Sequence, residues 1–185
     1  GVSAGFAAKI FKHYGKEAVR IVQDNPYRLA ADIFGIGFIT ADKIAEKLGL
    51  PKESPVRAEA GILYVLSQLA DQGHVYAPQP FLVEQARTIL DIDAAIIIQA
   101  MEKLQAAGRI AAEENTEPDQ RAIYSLPFYV AENQTAARLK ALISAPKQFR
   151  QIDTDRALAW VQEKLAITLA EKQLQAIRTA VDNKV

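Results

Sequence analysis

Apolar residues recur at three- and four-residue spacings along most of the chain, a pattern that predicts a mainly helical protein. Residues 16–23 carry Ala18, Val19 and Val22 on one face, and residues 26–33 follow as a short connecting helix. A helix over 38–48 comes next. Leu50-Pro51 and Ser54-Pro55 then mark a boundary, because proline disfavours helical backbone in the residue before it. Ile62, Leu63, Leu66, Leu69 and Ala70 predict a long helix over 56–72, stopped by Gly73. Residues 74–78 read as short and extended. Helices over 81–90 and 93–107 follow, the second capped by Asp93 and carrying Ile97, Ala100, Met101 and Leu104 into a core. Two extended runs, 109–114 and 121–126, flank a polar stretch with Pro118-Asp119 in its turn, the signature of a β-hairpin. A helix over 127–143 precedes a segment, 144–152, with the composition of a linker. Asp153 or Thr154 caps the next helix, whose Leu158, Trp160, Val161 and Leu165 offer apolar surface with the tryptophan as anchor. Thr168 is the expected cap of the last helix.

Charge narrows the picture. Lys plus Arg equals Asp plus Glu, at 22 each, so the 185-residue chain has no global basic field. Any contact with nucleic acid must come from local groups. No cysteine is present, which removes disulfides and thiolate chemistry and fits a cytoplasmic protein. No apolar run approaches the ~20 residues of a membrane span. His13 and His74 are the two histidines, and neither sits at ligand spacing with carboxylates, so no metal site is expected.

The most informative stretch is Phe34-Gly35-Ile36-Gly37, with a helical pattern directly behind it. Glycines allow a tight turn with bare backbone N–H groups, and the following helix adds its own unpaired N–H groups and the positive end of its dipole. Such a loop suits a phosphate. The pattern occurs twice. A shift of 34 residues lays Gly1, Val2, Ser3, Ala7, Lys9, Ile10 and Gly15 over Gly35, Ile36, Gly37, Ala41, Lys43, Ile44 and Gly49. In each copy the alanine allows close helix approach, the isoleucine points into a shared core and the last glycine ends the helix. Ser3 in place of Gly37 makes the first hairpin less open.

This repeat resembles the tandem helix-hairpin-helix module of DNA repair and recombination proteins, whose hairpin N–H groups hold DNA phosphates without reading sequence. The resemblance assigns DNA contact to Gly1, Val2, Ser3, Gly5 and Lys9 in the first copy. In the second it assigns contact to Gly35, Ile36, Gly37, Thr40 and Lys43. The two helices and hairpin over 81–126 resemble a winged helix, which would bring Gln99, Lys103, Arg109 and Arg121 near a DNA backbone. Glu113, Glu114, Glu117 and Asp119 crowd that wing, and a structural or protein-contact role is as well supported there.

At the far end, Leu169-Ala170-Glu171-Lys172-Gln173-Leu174-Gln175-Ala176-Ile177 resembles the Q motif that opens the motor core of superfamily 1 helicases. In that family the glutamine, here Gln173, bonds the adenine edge. The order of these features is similar to the RecD-like helicases, the exodeoxyribonuclease V alpha subunit family with long N-terminal extensions. Arg57-Ala58-Glu59-Ala60-Gly61-Ile62, Gly73-His74 and Glu132 fit that similarity. It implies a tandem helix-hairpin-helix bundle over 1–50, a winged-helix-like domain over 55–143, a linker over 144–152 and the opening helices of a motor domain over 153–185. It also implies 5′-to-3′ translocation on DNA driven by ATP and Mg²⁺. The phosphate loop of such a motor, Gly-x-x-x-x-Gly-Lys-Ser/Thr, is expected just past Val185, so this chain alone is expected to be inactive. Two other readings stay open: a protein-interaction scaffold whose hairpins only pack helices, and the hairpin region of another repair enzyme such as a nuclease or ligase.

Overall fold

A computed structural model describes residues 4–114, 121–146 and 153–183. It is mainly helical with one small antiparallel sheet. The chain forms two compact units, Gly1–Tyr129 and Val130–Val185.

The first unit begins with α1 (Ala4–Tyr14), a 3₁₀ turn (Gly15–Glu17), α2 (Ala18–Asp24), α3 (Arg28–Asp32) and α4 (Phe38–Lys47). Ile10 of α1 and Ile44 of α4, the matched isoleucines of the repeat, are buried in one cluster with Ala18, Leu29, Ile33 and Ile36. The matched alanines differ: Ala41 is fully buried, whereas Ala7 is exposed, so the close approach holds in the second copy alone. The matched glycines agree. Gly15 and Gly49 both take positive φ, at 57° and 79°. After α4 the Leu50 N–H bonds the Ala45 carbonyl and the Gly49 N–H bonds the Glu46 carbonyl, a Schellman stop that only a residue free to enter left-handed backbone makes cheaply.

The rest of the unit is α5 (Pro55–Asp71), β1 (Tyr76–Pro78), α6 (Gln79–Leu90), α7 (Ala94–Ala106), β2 (Ile110–Glu113) and β3 (Ala122–Ser125). The strands order β1-β3-β2, all antiparallel, with Ala77 opposite Ile123 and Ala112 opposite Ile123 on the other side. The extended stretch at 74–78 therefore does more than connect: it supplies the third strand of the winged-helix-like unit. Asp93 caps α7 as expected, its carboxylate accepting from the Ala95 N–H at 2.7 Å. The turn at Pro118-Asp119, with Glu117, lies outside the described residues.

One core joins the two halves of this unit. Phe38, Ala41 and Ala45 of α4 share it with Ile62, Val65 and Leu66 of α5, and with Leu82, Leu90, Ile97, Met101, Leu104 and Ile123. Gly61 sits where α5 crosses α6, and a Cβ there would fall 2.5 Å from both Leu90 methyl carbons. The spacing of the two helices depends on that missing side chain.

Helix α8 (Leu126–Ser144) leads out of the wing. The second unit also holds α9 (Thr154–Leu165) and α10 (Glu171–Asp182). Asp153 is the α9 cap, accepting from the Arg156 N–H at 3.0 Å. Arg178 of α10 pairs with Asp155 of α9 at 2.9 Å. Two expectations fail here. Trp160 is 62% exposed and Leu158 is the buried residue of α9, so leucine rather than tryptophan anchors the packing. The residue at the α10 N-cap is Ala170, not Thr168; alanine has no oxygen to offer, and Gln173 reaches back instead to accept the Ala170 N–H at 2.9 Å. Residues 147–152 of the expected linker lie outside the described residues. Among the described residues no helix is long and apolar enough to cross a membrane.

Candidate nucleic-acid interface

The second hairpin is built around a buried centre and two exposed glycines. Ile36 is 2% exposed, and its N–H bonds the Ile33 carbonyl at 3.1 Å. Neither its side chain nor its N–H faces a ligand. It is the pin that fixes the loop. Gly35 bends the chain at φ 89°, a conformation that strains any other residue. Gly37 does not need its freedom: at φ −92° and ψ 175° it has ordinary extended backbone and serves as the N-cap of α4. What glycine contributes at 37 is open space, since a Cβ there would meet nothing within 4 Å.

That openness matters because α4 has no side-chain cap. Its first N–H groups have no intrahelical acceptor. Thr40 and Ala41 donate to the Gly37 carbonyl, which leaves the N–H groups of Phe38 and Ile39 at the exposed end of a helix dipole. Lysine adds charge from the other copy: the Lys9 ammonium lies 3.2 Å from the point where a Gly35 Cβ would be. Repeat one therefore delivers a cation to the hairpin of repeat two, a contact that no alignment of the two copies suggests. Lys43 is exposed on α4 and Thr40 is half-buried on its first turn. Phe34, at the tip, is 99% exposed. Gly5 is exposed on α1 with open space around it. Gly1, Val2 and Ser3, the first hairpin, lie outside the described residues.

A polar network behind the hairpin holds α4 in place. Arg57 of α5 forks onto Asp42, Nε to Oδ1 at 2.8 Å and Nη2 to Oδ2 at 3.0 Å. Its remaining Nη1 donates to the carbonyls of Lys52 and Leu90, at 3.0 and 2.9 Å. Tyr27 completes the set, its hydroxyl donating to Asp42 at 2.6 Å. Burial pushes the Asp42 carboxyl up, but the bonds from Arg57 and Tyr27 outweigh it and hold the group below the usual carboxylate range. Burial and the Asp42 bond both push the Tyr27 phenol up. One guanidinium thus ties the hairpin helix, the loop before α5 and the end of α6. Arginine suits the position because its planar fork fits a carboxylate and still has donors to spare.

Between the hairpin and the winged-helix-like half lies a cleft of about 500 Å³. Gly37 and Phe38 form one wall, and a stripe of α5, half-buried from Val56 to Tyr64 and exposed at Ser67 and Gln68, forms the other. Tyr27, Phe38 and Tyr64 stack in sequence along it, with ring centres 5.7 and 4.9 Å apart. Arg28 and Arg109 stand at its edge. Sequence periodicity hides this cleft, because its residues come from four elements brought together only by the fold.

The described part of the wing pairs one of its few cations with a carboxylate. Arg121 pairs with Glu114 at 2.9 Å, while Gln99, Lys103 and Arg109 are exposed. Gln173 is exposed on the first turn of α10 with its amide oxygen engaged by Ala170.

Comparison with known proteins agrees with the hairpin geometry. The family described as the ATP-dependent RecD2 DNA helicase HHH domain matches residues 1–76. The hairpin region is therefore similar to that of RecD2 helicases. Over 154 residues the chain is 25% identical to a protein named ATP-dependent RecD2 DNA helicase from Deinococcus radiodurans. The match covers 79% of the chain and 21% of that relative, so the chain spans about a fifth of the curated relative's length. The matched region at 1–76 takes in both copies of the repeat and all of α5.

Proposed function

We propose that this chain is the DNA-binding N-terminal region of an ATP-dependent RecD-like helicase that moves 5′ to 3′ in DNA recombination and repair. The observation that carries the reading is the uncapped α4 N-terminus at Gly37 with the Lys9 ammonium drawn over Gly35. Phosphate oxygens accept from the Phe38 and Ile39 N–H groups, and Lys9 and Lys43 supply charge. No base edge is read, so binding ignores sequence. A chain with equal numbers of acidic and basic residues can do this because oriented backbone dipoles need no net charge.

In the whole protein ATP and Mg²⁺ drive movement. The Gln173 carboxamide, whose oxygen is held by Ala170, keeps its N–H donors for the adenine edge. No Gly-x-x-x-x-Gly-Lys-Ser/Thr run occurs in the sequence, so the isolated chain hydrolyses no ATP. An exodeoxyribonuclease V alpha-type parent would be cytoplasmic.

Titration of the chain with single-stranded, duplex and junction DNA at increasing salt tests the reading. The expected result is affinity that falls steeply with salt and does not change with base sequence. Flat salt dependence refutes phosphate binding. The neutralised wing favours a second use of that surface, a contact with a protein partner. A stable partner captured by the chain, and released when Glu113 and Glu114 are changed to Lys, supports that use.

A further inference from the structure

We infer that the cleft beside the second hairpin receives an unpaired DNA base whose own backbone phosphate rests on the α4 N-terminus. The inference builds on the phosphate site proposed above and adds what lies next to it. Gly37 and Phe38 belong to both places: their backbone forms the hairpin, and they line the cleft. A nucleotide held by its phosphate at the hairpin therefore has its base at the cleft mouth.

The lining suits a base better than a second phosphate. Tyr64, half-buried, ends the aromatic stack with Phe38 and presents a flat apolar wall. Its hydroxyl makes no hydrogen bond among the described residues. Glu59 faces the same space, half-buried and without an ion pair among the described residues. A carboxylate there repels phosphate but accepts hydrogen bonds from exocyclic amines. Ser67 and Gln68 add groups that donate or accept, so several base edges can be met. Arg109 makes no ion pair among the described residues, and its guanidinium at the rim is placed for the neighbouring phosphate. A volume of about 500 Å³ falls within the ~300–1,000 Å³ typical of ligand clefts. Stacking on an aromatic wall tolerates any base, in keeping with sequence-independent binding. A paired base cannot enter, so the cleft distinguishes single strands and frayed junctions from intact duplex.

The experiment compares three probes on the whole chain: a short oligodeoxythymidylate, an abasic strand of equal length and a blunt duplex. The expected result is at least about tenfold tighter binding of the thymidylate than of the abasic strand, the scale of one stacked base. Ser67→Trp, which fills the cleft from an exposed helical position, removes that advantage and leaves abasic affinity unchanged. Tyr64→Leu, which keeps bulk but removes the aromatic wall, does the same and stands in if the tryptophan variant melts early. Equal, salt-sensitive binding of thymidylate and abasic strands overturns the cleft and leaves the phosphate site standing. Binding of neither strand overturns both. A thymidylate advantage that survives both substitutions places the base elsewhere and also overturns the inference.

Discussion

Gly37→Asp should raise stability and lower DNA affinity at once, and that opposition of sign is what a phosphate site at an uncapped helix demands. The backbone at 37 already has the extended geometry of an N-cap, and a side chain there meets nothing within 4 Å. An aspartate carboxylate would accept from the second or third helical N–H and sit at the positive end of the α4 dipole. Replacing glycine with a good cap contributes a few tenths of a kcal/mol, and the dipole term adds about 0.3–1 kcal/mol. The gain is therefore about 0.5–1 kcal/mol, or roughly 1–4 °C in melting temperature for a chain of this size. The same carboxylate occupies the donors and repels the incoming phosphate. Loss of charge-assisted hydrogen bonds, each worth about 1.5–3 kcal/mol, should weaken low-salt binding by about tenfold or more. The slope of log affinity against log salt should fall by about one phosphate equivalent. Melting followed by circular dichroism and titration by fluorescence anisotropy read the two effects. Gly37→Ser, a neutral cap, should fall between wild type and aspartate in affinity. An aspartate variant that melts lower, or that binds DNA as tightly as wild type, refutes the site.

Lys9→Gln should weaken binding to every DNA sequence alike and lower the salt slope by about one, with stability changed by less than about 0.5 kcal/mol because the side chain is exposed; unchanged DNA titrations would separate Lys9 from the hairpin. Gly61→Ala gains about 1 kcal/mol of helix propensity but forces a Cβ within 2.5 Å of a fully buried leucine, so urea denaturation should show a net loss of about 1–2 kcal/mol. Adding Leu90→Val should return part of it, and strict additivity of the two changes would show that the helices had separated instead. Asp42 has a folded-state proton affinity below its unfolded value, so its contribution is present above about pH 4 and disappears as pH falls through the folded value. Asp42→Asn should lower stability at neutral pH and flatten that acid limb; a variant with the wild-type pH profile would locate the acid sensitivity elsewhere.

Periodicity made the helices legible from sequence, and glycine chemistry made their ends so. Gly49, Gly73 and Gly108 close α4, α5 and α7 in the same Schellman geometry, each with the N–H of the residue after the glycine bonded five positions back: Leu50 to Ala45, His74 to Leu69 and Arg109 to Leu104. The alignment of the two copies located the hairpin and put Ile10 and Ile44 in one core. What it could not supply was contact between the copies. Lys9 is matched with Lys43 in sequence, yet in space it serves Gly35. The resemblance assigns Ile36 to DNA contact along with its flanking glycines, but its side chain is buried in the cluster of Leu29 and Ile33. The β1 strand was too short to announce a partner, since three residues carry almost no alternation signal. Arg57 is visible in the sequence only as part of a family segment, and its four bonds reach back to Asp42 and forward to Leu90, 33 positions away.

That network bears on how an electroneutral chain would hold DNA in a fixed orientation at the proposed site. A basic surface attracts a duplex from many directions and tolerates sliding and rotation. A helix terminus with two free N–H groups accepts phosphate from one direction only, so its usefulness depends on how firmly the helix is aimed. Here the aim is set by a guanidinium that bonds Asp42 on the hairpin helix and the Leu90 carbonyl at the end of α6. Side-chain exposures of 14% for Arg57 and 24% for Asp42 keep the pair well out of solvent, where salt screens it less than it screens Lys9 or Lys43. Salt should therefore strip DNA from the site without loosening the site itself. Arg57→Lys separates these effects: it retains the charge but loses the fork and at least one carbonyl bond. The phosphate-contacting groups stay in place in that variant, and only their aim against the winged-helix-like half is relaxed. Its salt slope should match wild type while its affinity falls, whereas Lys9→Gln should change both.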